Sequence, residues 1–174
     1  RNVAVNGVKP LNPAAARIVG PAYTLRYIPS REDIDKAPSP SDPPNAQRTA
    51  IEESPAGSVL VIGTEGNTRS GTLGDILALR LKVRGLAGVL SDGAMRDSPV
   101  IGKFDFPVYC SAAAAPPSMA NLRPVEVQVP VGIRGVAVYP GDVIVADEDG
   151  AIVVPRHLAD EVARDSFEQE RLEK

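Results

Sequence analysis

The stretch SDGAMRDSP, residues 91–99, gathers Asp92, Arg96 and Asp97 within six positions, directly after the apolar run LAGVLS. The planar fork of an arginine suits a carboxylate or a keto acid. An aspartate beside it can hold a divalent cation, directly or through water. A second stretch, EGNTRSGTLGDIL, sets Gly71 and Gly74 at the start of a predicted helix. There the backbone N–H groups of Gly74, Asp75, Ile76 and Leu77, with the positive end of the helix dipole, form a receptor for an anion. Together the two stretches describe a pocket for a 2-oxo acid and a metal. Plainer readings stand beside this one. Thr72-x-x-Asp75 fits a capping box in which Asp75 serves only backbone donors. Arg96 and Asp97 fit a solvated turn, and Asp92 fits a turn former bonded to its own loop. Glu65 and Asn67 share the first loop and are further candidates to line the pocket.

The elements that must position these residues follow from pattern. SVLVIGT (58–64) and LAGVLS (86–91) are continuous apolar runs of the kind buried on both faces of a parallel sheet. Between them Ile76, Leu77, Leu79 and Val83 give a helical apolar face against Asp75, Arg80, Lys82 and Arg84, and Gly85 closes the helix. Strand, glycine loop, helix and strand make a βαβ unit, with both loops on one edge of the sheet. ARIVGPAYTLRYIP (16–29) reads as a strand pair bent at Gly20-Pro21, and KAPSPSDPP (36–44) as a solvated Pro/Ser loop. NAQRTAIEES reads as a short helix. The second half holds short alternating strands, FPVYCS, VEVQVPVGIRGVAVYPGD and VIVADEDGAIVVP, with a hairpin at Asp149-Gly150. A terminal helix follows from Arg156. The fold class is α/β, a parallel βαβ unit packed on a β-rich part.

Composition limits the chemistry. The 174 residues are 43% hydrophobic, enough for one domain with a core, and aromatics at 4% leave that core aliphatic. A net charge of −3 with no basic stripe argues against nucleic acid as a partner. One cysteine, Cys110, forbids an intrachain disulfide and reads as a small core residue at a strand end. One histidine, His157, forbids a His-rich zinc site and falls near the start of the last helix. Asp147, Glu148 and Asp149 read as an acidic hairpin tip. A metal would be held by oxygen ligands, which points to Mg²⁺, with Mn²⁺ as the alternative. No apolar run has the length of a membrane span and no signal peptide is visible, so the expectation is a cytoplasmic protein with no membrane partner. Both ends read as cut from a longer protein.

GDILALRLKVRGLAGVLSDGAMRD together with VAVYPGDVIVADEDGAIVVP resembles the RraA-like family, which includes regulators of ribonuclease E and metal-dependent 4-hydroxy-4-methyl-2-oxoglutarate/4-carboxy-4-hydroxy-2-oxoadipate aldolases. The resemblance implies one swivelling β/β/α domain over 1–174, lacking an N-terminal helix and a C-terminal end. Aldolase members carry an Asp, twenty intervening residues, then Arg-Asp, a spacing that Asp75 and Arg96-Asp97 satisfy. It further implies that Arg96 and the backbone at Gly74, Asp75, Ile76 and Leu77 bind the pyruvyl part of a substrate. Asp97 would orient the divalent metal, and Asp75 would help hold one of its waters. The implied activity is retro-aldol cleavage or oxaloacetate decarboxylation through a pyruvate enolate, in a homotrimer or hexamer whose sites borrow an acidic residue from a neighbour. Two positions differ from the family pattern: Val100 stands where an acidic residue is common, and Cys110-Ser111-Ala112 where an Arg is usual. A non-enzymatic regulator binding a ribonuclease or another protein, and a relative acting on a sugar-acid substrate, are the alternatives.

Overall fold

Val59, Leu60, Val61 and Ile62 are all buried, and alternate residues enter two different cores. That alternation, with no polar face, explains why the run forms a central strand with layers on both sides. The computed structural model describes residues 3–35 and 44–173. The Pro/Ser loop expected over 36–44 therefore lies, apart from Pro44, outside the described residues.

The chain opens with two short strands, β1 (Ala4–Val5) and β2 (Lys9–Pro10), then the long β3 (Ile18–Pro29). After α1 (Ala46–Glu53) come β4 (Val59–Gly63), α2 (Asp75–Val83) and β5 (Gly88–Ser91). A two-residue β6 (Ala94–Met95), a single helical turn α3 (Ser98–Ile101), β7 (Val108–Cys110) and β8 (Ala112–Ala113) follow. The remainder is β9 (Leu122–Val127), β10 (Val131–Ile133), β11 (Val136–Val138), β12 (Val143–Ala146), β13 (Ala151–Val154) and α4 (Ala159–Leu172).

The expected βαβ unit is present: β4 and β5 are parallel neighbours, Val59 opposite Gly88 and Ile62 opposite Ser91. β7 joins β5 in parallel and β3 lies parallel to β4, so four strands run toward one edge. The order across the main sheet is β1-β13-β12-β3-β4-β5-β7-β2, with β9 also on β3. Its two outermost strands are only three residues apart in the chain, since β1 ends at Val5 and β2 begins at Lys9. Four residue steps span about 14 Å at most. The sheet must therefore curl until its ends nearly meet, and the amino-terminal segment is its seam.

One core fills the curl, built from Val5, Ile18, Val59, Val61, Leu90, Tyr109, Ile133, Val138, Ile144 and Val153. The other lies between the sheet and helices α1 and α2, where Leu25, Tyr27, Ile51, Leu60, Ile62, Ala78 and Leu81 meet. The result is a β/β/α arrangement of mixed α/β class. The hairpin at Asp149-Gly150 joins β12 to β13 in antiparallel register, Ala146 opposite Ala151.

Two expectations need correction. Within residues 16–29 there is one strand, Ile18–Pro29, not a pair. Gly20 and Pro21 pair antiparallel with Ile144 and Val143, and from Ala22 onward the strand pairs parallel with β4. Proline has no N–H to give, and it sits where the strand changes partners, so the ladder survives. The second correction concerns α2, whose buried residues are Ala78 and Leu81. Ile76, Leu79 and Val83 face outward, Ile76 at 79% and Val83 at 72% exposure, beside the exposed Val100 of α3. The helix is apolar on both sides, and its periodicity could not say which side met the core.

Candidate functional site

The loop after β4 leaves Gly63 through a tight turn over 64–67, closed by the Asn67 N–H on the Thr64 carbonyl at 3.1 Å. Glu65 at φ 57° and Gly66 at φ 73° occupy its centre, and the Glu65 side chain is exposed. The loop then runs beside the segment following β5. Gly71 bridges to Ala94 and to Pro117. The Thr72 N–H donates to the Ala94 carbonyl at 2.9 Å, and the Arg96 N–H donates to the Leu73 carbonyl at 2.8 Å. From the other side the Gln47 side-chain amide, on α1, donates to the Thr72 carbonyl. These bonds leave the chain direction at Gly74 fixed where α2 starts.

Gly74 is the N-cap of α2 and offers no side chain to it. The Asp97 carboxylate fills that place from the second loop: its Oδ2 lies 2.7 Å from where a Cβ on Gly74 would stand, and it accepts from the Asp75 N–H at 3.4 Å. Asp97 takes up a left-handed conformation, φ 51°, to do so. Strain of this kind in a non-glycine residue persists where the surroundings hold it, commonly at functional sites. The Asp75 carboxylate accepts from the N–H of Ile76 at 2.8 Å. The capping-box reading of Thr72 fails, because the Thr72 hydroxyl donates to the Ala94 carbonyl instead.

Arg96 lies across the same loop. A Cβ on Gly71 would stand 2.4 Å from Arg96 Cγ and 2.7 Å from the Arg96 backbone nitrogen, so only glycine permits the approach. Among the described residues no acid pairs with the Arg96 guanidinium. The structure thus brings Gly74, Asp75, Arg96 and Asp97 together, at the end of a helix. Ile76 contributes its N–H here while its side chain faces solvent, and Leu77 is half-buried against the helix-side core. The backbone donors of Asp75 and Ile76 are already occupied by carboxylates, so the free charge presented outward is that of Asp75, Asp97 and Arg96.

Asp92 takes a different part from the one expected of a turn former. It is 2% exposed, and its carboxylate bonds the first loop, not its own, through Thr64 and Gly66. Neither this link nor that of Gln47 has a local signature: each joins residues 25 or more positions apart. Cys110 is buried, and burial pushes its thiol up to about 11. His157 is exposed at the start of the last helix, and Asp147, Glu148 and Asp149 are exposed at the hairpin tip.

A cavity of about 660 Å³ lies elsewhere, lined by Val3, Tyr139, Asp142, Val153, Arg156 and His157 among others. None of these belongs to the loops after β4 and β5. The Asp142 carboxylate there is spent on the backbone N–H groups of Tyr139 and Arg156.

Among the described residues no cluster of three His, Cys, Asp or Glu side chains is assembled that would cage a metal. The donor set at the helix end is two carboxylates, all oxygen and open to solvent on one side. That fits a hard cation which keeps several waters and takes one or two protein carboxylates.

Comparison with known proteins accords with this geometry. Residues 1–153 match the sequence model of a family described as RraA-like, Aldolase/RraA. Protein DlpA of Legionella pneumophila is 33% identical over 155 residues, 89% of this chain and 24% of DlpA. The 4-hydroxy-4-methyl-2-oxoglutarate aldolase of Thermus thermophilus is 37% identical over 108 residues, 62% of this chain and 65% of the enzyme. The chain thus spans less than two thirds of either relative. The crystal structure of Streptomyces coelicolor RraAS2, described as an unusual member of the RNase ES inhibitor RraA protein family, superposes with a TM-score of 0.85 at 34% identity. That match covers 98% of this chain and 80% of RraAS2.

Proposed function

The chain belongs to the RraA-like, Aldolase/RraA family, and from that premise we propose that it is a metal-dependent lyase that cleaves a 2-oxo acid through a pyruvate enolate. The observation that carries the reading is the meeting of Asp75 and Asp97 with the unpaired guanidinium of Arg96 at the start of α2. An acid-binding arginine beside two oxygen donors is what such a reaction requires.

Asp97 would hold the cation, Mg²⁺ or Mn²⁺, with Asp75 supporting one of its waters. When bound, the cation supplies positive charge at the keto and carboxylate oxygens of the substrate. Arg96 binds the substrate carboxylate by two parallel hydrogen bonds and faces the charge that grows on the enolate as the carbon–carbon bond breaks. The N–H of Ile76 now donates to the Asp75 carboxylate, and it could donate to a substrate oxygen only with that side chain turned away. The two site loops contain no lysine, so neither can form an iminium with the keto group.

The test is pyruvate release from oxaloacetate and from 4-hydroxy-4-methyl-2-oxoglutarate, using the full-length protein with Mg²⁺ and then with EDTA. Release that EDTA abolishes is the expected result. No release from either substrate removes the lyase reading for both.

The outward face of α2 supports a homotrimer or hexamer. Ile76, Leu79 and Val83 recur at helical spacing and are exposed, and a surface of this kind is ordinarily covered by another chain. Ile76 adjoins Asp75, which sets the interface next to the site and would let a neighbour supply a further acid. Light scattering on the full-length protein should give a trimer or its multiple, and Ile76→Glu with Val83→Glu should shift it to monomer. A monomeric wild type removes the interface.

A second reading, a regulator that binds a ribonuclease or another protein, draws on the same exposed face and on the likeness to RraAS2. A sugar-acid substrate for the same pocket is the remaining alternative.

A further inference from the structure

Asp92 and Asp142 are the buried carboxylates among the described residues, and the reaction proposed above gives Asp92 no part. A carboxylate removed from water without a cation is costly unless its lone pairs are filled. Asp92 accepts three hydrogen bonds, all from the neighbouring loop. Oδ1 accepts from the Thr64 N–H at 2.7 Å and from the Thr64 hydroxyl at 2.9 Å, and Oδ2 accepts from the Gly66 N–H at 2.8 Å. In its own turn the Gly93 N–H is served by the Ser91 hydroxyl, so Asp92 is not needed there. It fastens one loop to the other.

We infer that Asp92 is a positioning residue that sets how the two site loops lie against each other, and so where Arg96 and Asp97 stand relative to Gly74 and Asp75. The inference rests on the lyase reading for its effect on rate. The loops are joined in two places. Asp92 joins them at the base, and the Thr72–Ala94 and Leu73–Arg96 backbone bonds join them further out. Two separated fastenings stop the loops from pivoting, whereas one would act as a hinge. The link at the site itself is long, 3.4 Å from the Asp75 N–H to Asp97 Oδ2, so a small rotation would break it. The same carboxylate grips Thr64 and Gly66 on either side of Glu65, which accounts for a non-glycine residue held at φ 57°.

The test uses the full-length protein and two readouts: amide hydrogen exchange by mass spectrometry, and pyruvate release from oxaloacetate with Mg²⁺. Asp92→Asn keeps one acceptor for Thr64 and turns an NH₂ toward the Gly66 N–H. Exchange should rise about tenfold over 64–67 and also over 71–77 and 93–97, because local opening follows the lost fastening. The kcat should fall roughly 10- to 100-fold and KM should rise, because Arg96, the acid-binding group, shifts with its loop. Thr64→Val should give a smaller fall and Thr64→Ser none. The Thr64→Val/Asp92→Asn double variant should be no worse than Asp92→Asn alone. If Asp92→Asn does not fold, the Thr64 pair carries the same comparison. A rise in exchange confined to 64–67, or a folded variant with wild-type kcat and KM, overturns the inference and leaves the lyase reading standing. A wild type that releases no pyruvate while exchange spreads as described overturns the lyase reading and leaves the fastening.

Discussion

Asp97→Ala should lower Mg²⁺-dependent pyruvate release by about 10³-fold, because a bound cation contributes several kcal/mol to charge stabilisation and each ~1.4 kcal/mol is tenfold in rate. The protein should still fold. Asp97 is exposed, and among the described residues its carboxylate makes only the long acceptance from the Asp75 N–H. Losing a cap of this kind costs roughly 0.5–2 kcal/mol at most, a fraction of ordinary domain stability. Alanine tolerates the left-handed backbone at this position less well than aspartate, which adds a smaller cost of its own. Steady-state rates beside a thermal melt separate the two effects. A folded Asp97→Ala variant with a rate within tenfold of wild type would mean that the carboxylate serves only as a helix cap.

Gly71→Ala should be nearly as damaging by another route. The added methyl would stand 2.4 Å from Arg96 Cγ, 2.7 Å from the Arg96 nitrogen and 3.0 Å from the Met95 carbonyl carbon. Two of these three are backbone atoms, which cannot rotate away. Arg96 must move outward, and the Arg96–Leu73 bond that sets the loop spacing must lengthen. A displacement near 1 Å at a catalytic group costs on the order of 100-fold in rate, and overpacking of a buried site costs about 1–3 kcal/mol. The variant should thus melt lower and turn over slowly, and substrate binding should weaken because Arg96 is the acid-binding group. A wild-type KM in Gly71→Ala would argue that Arg96 does not hold the substrate.

The parts of the fold that could be read from sequence are those decided by neighbouring residues. Unbroken apolar runs give β4 and β5, and the glycine-punctuated segment between them gives the crossover and the shared edge. Asp149-Gly150 gives its hairpin, and Arg96-Asp97 is set after a buried strand. What could not be read depends on distant partners. Leu81 and Ile76 are equally apolar, and only the packing of α2 against the sheet decides that the first is core and the second surface. Pro21 looked like a break because the β12 partner that makes it tolerable lies some 120 residues on. Asp92 looked like a turn former because the donors that fill it come from another loop. For the site, residue types and rough placement were legible. The occupation of the Asp75 N–H by Asp97 was not, since it follows from a backbone angle at Asp97 that no pattern announces.

The amino-terminal seam bears on the order of events during synthesis. β1 needs β13 as its partner, and β2 needs β7. These strands are made well before their partners: β1 waits while about 150 residues are made and β2 while about 100 are. Until then the unpaired β1 and β2 are open templates for another strand, and loop closure over so long a span is slow. The nascent chain is most exposed to mispairing in that interval, and shielding of residues 4–10 by a chaperone would protect it then.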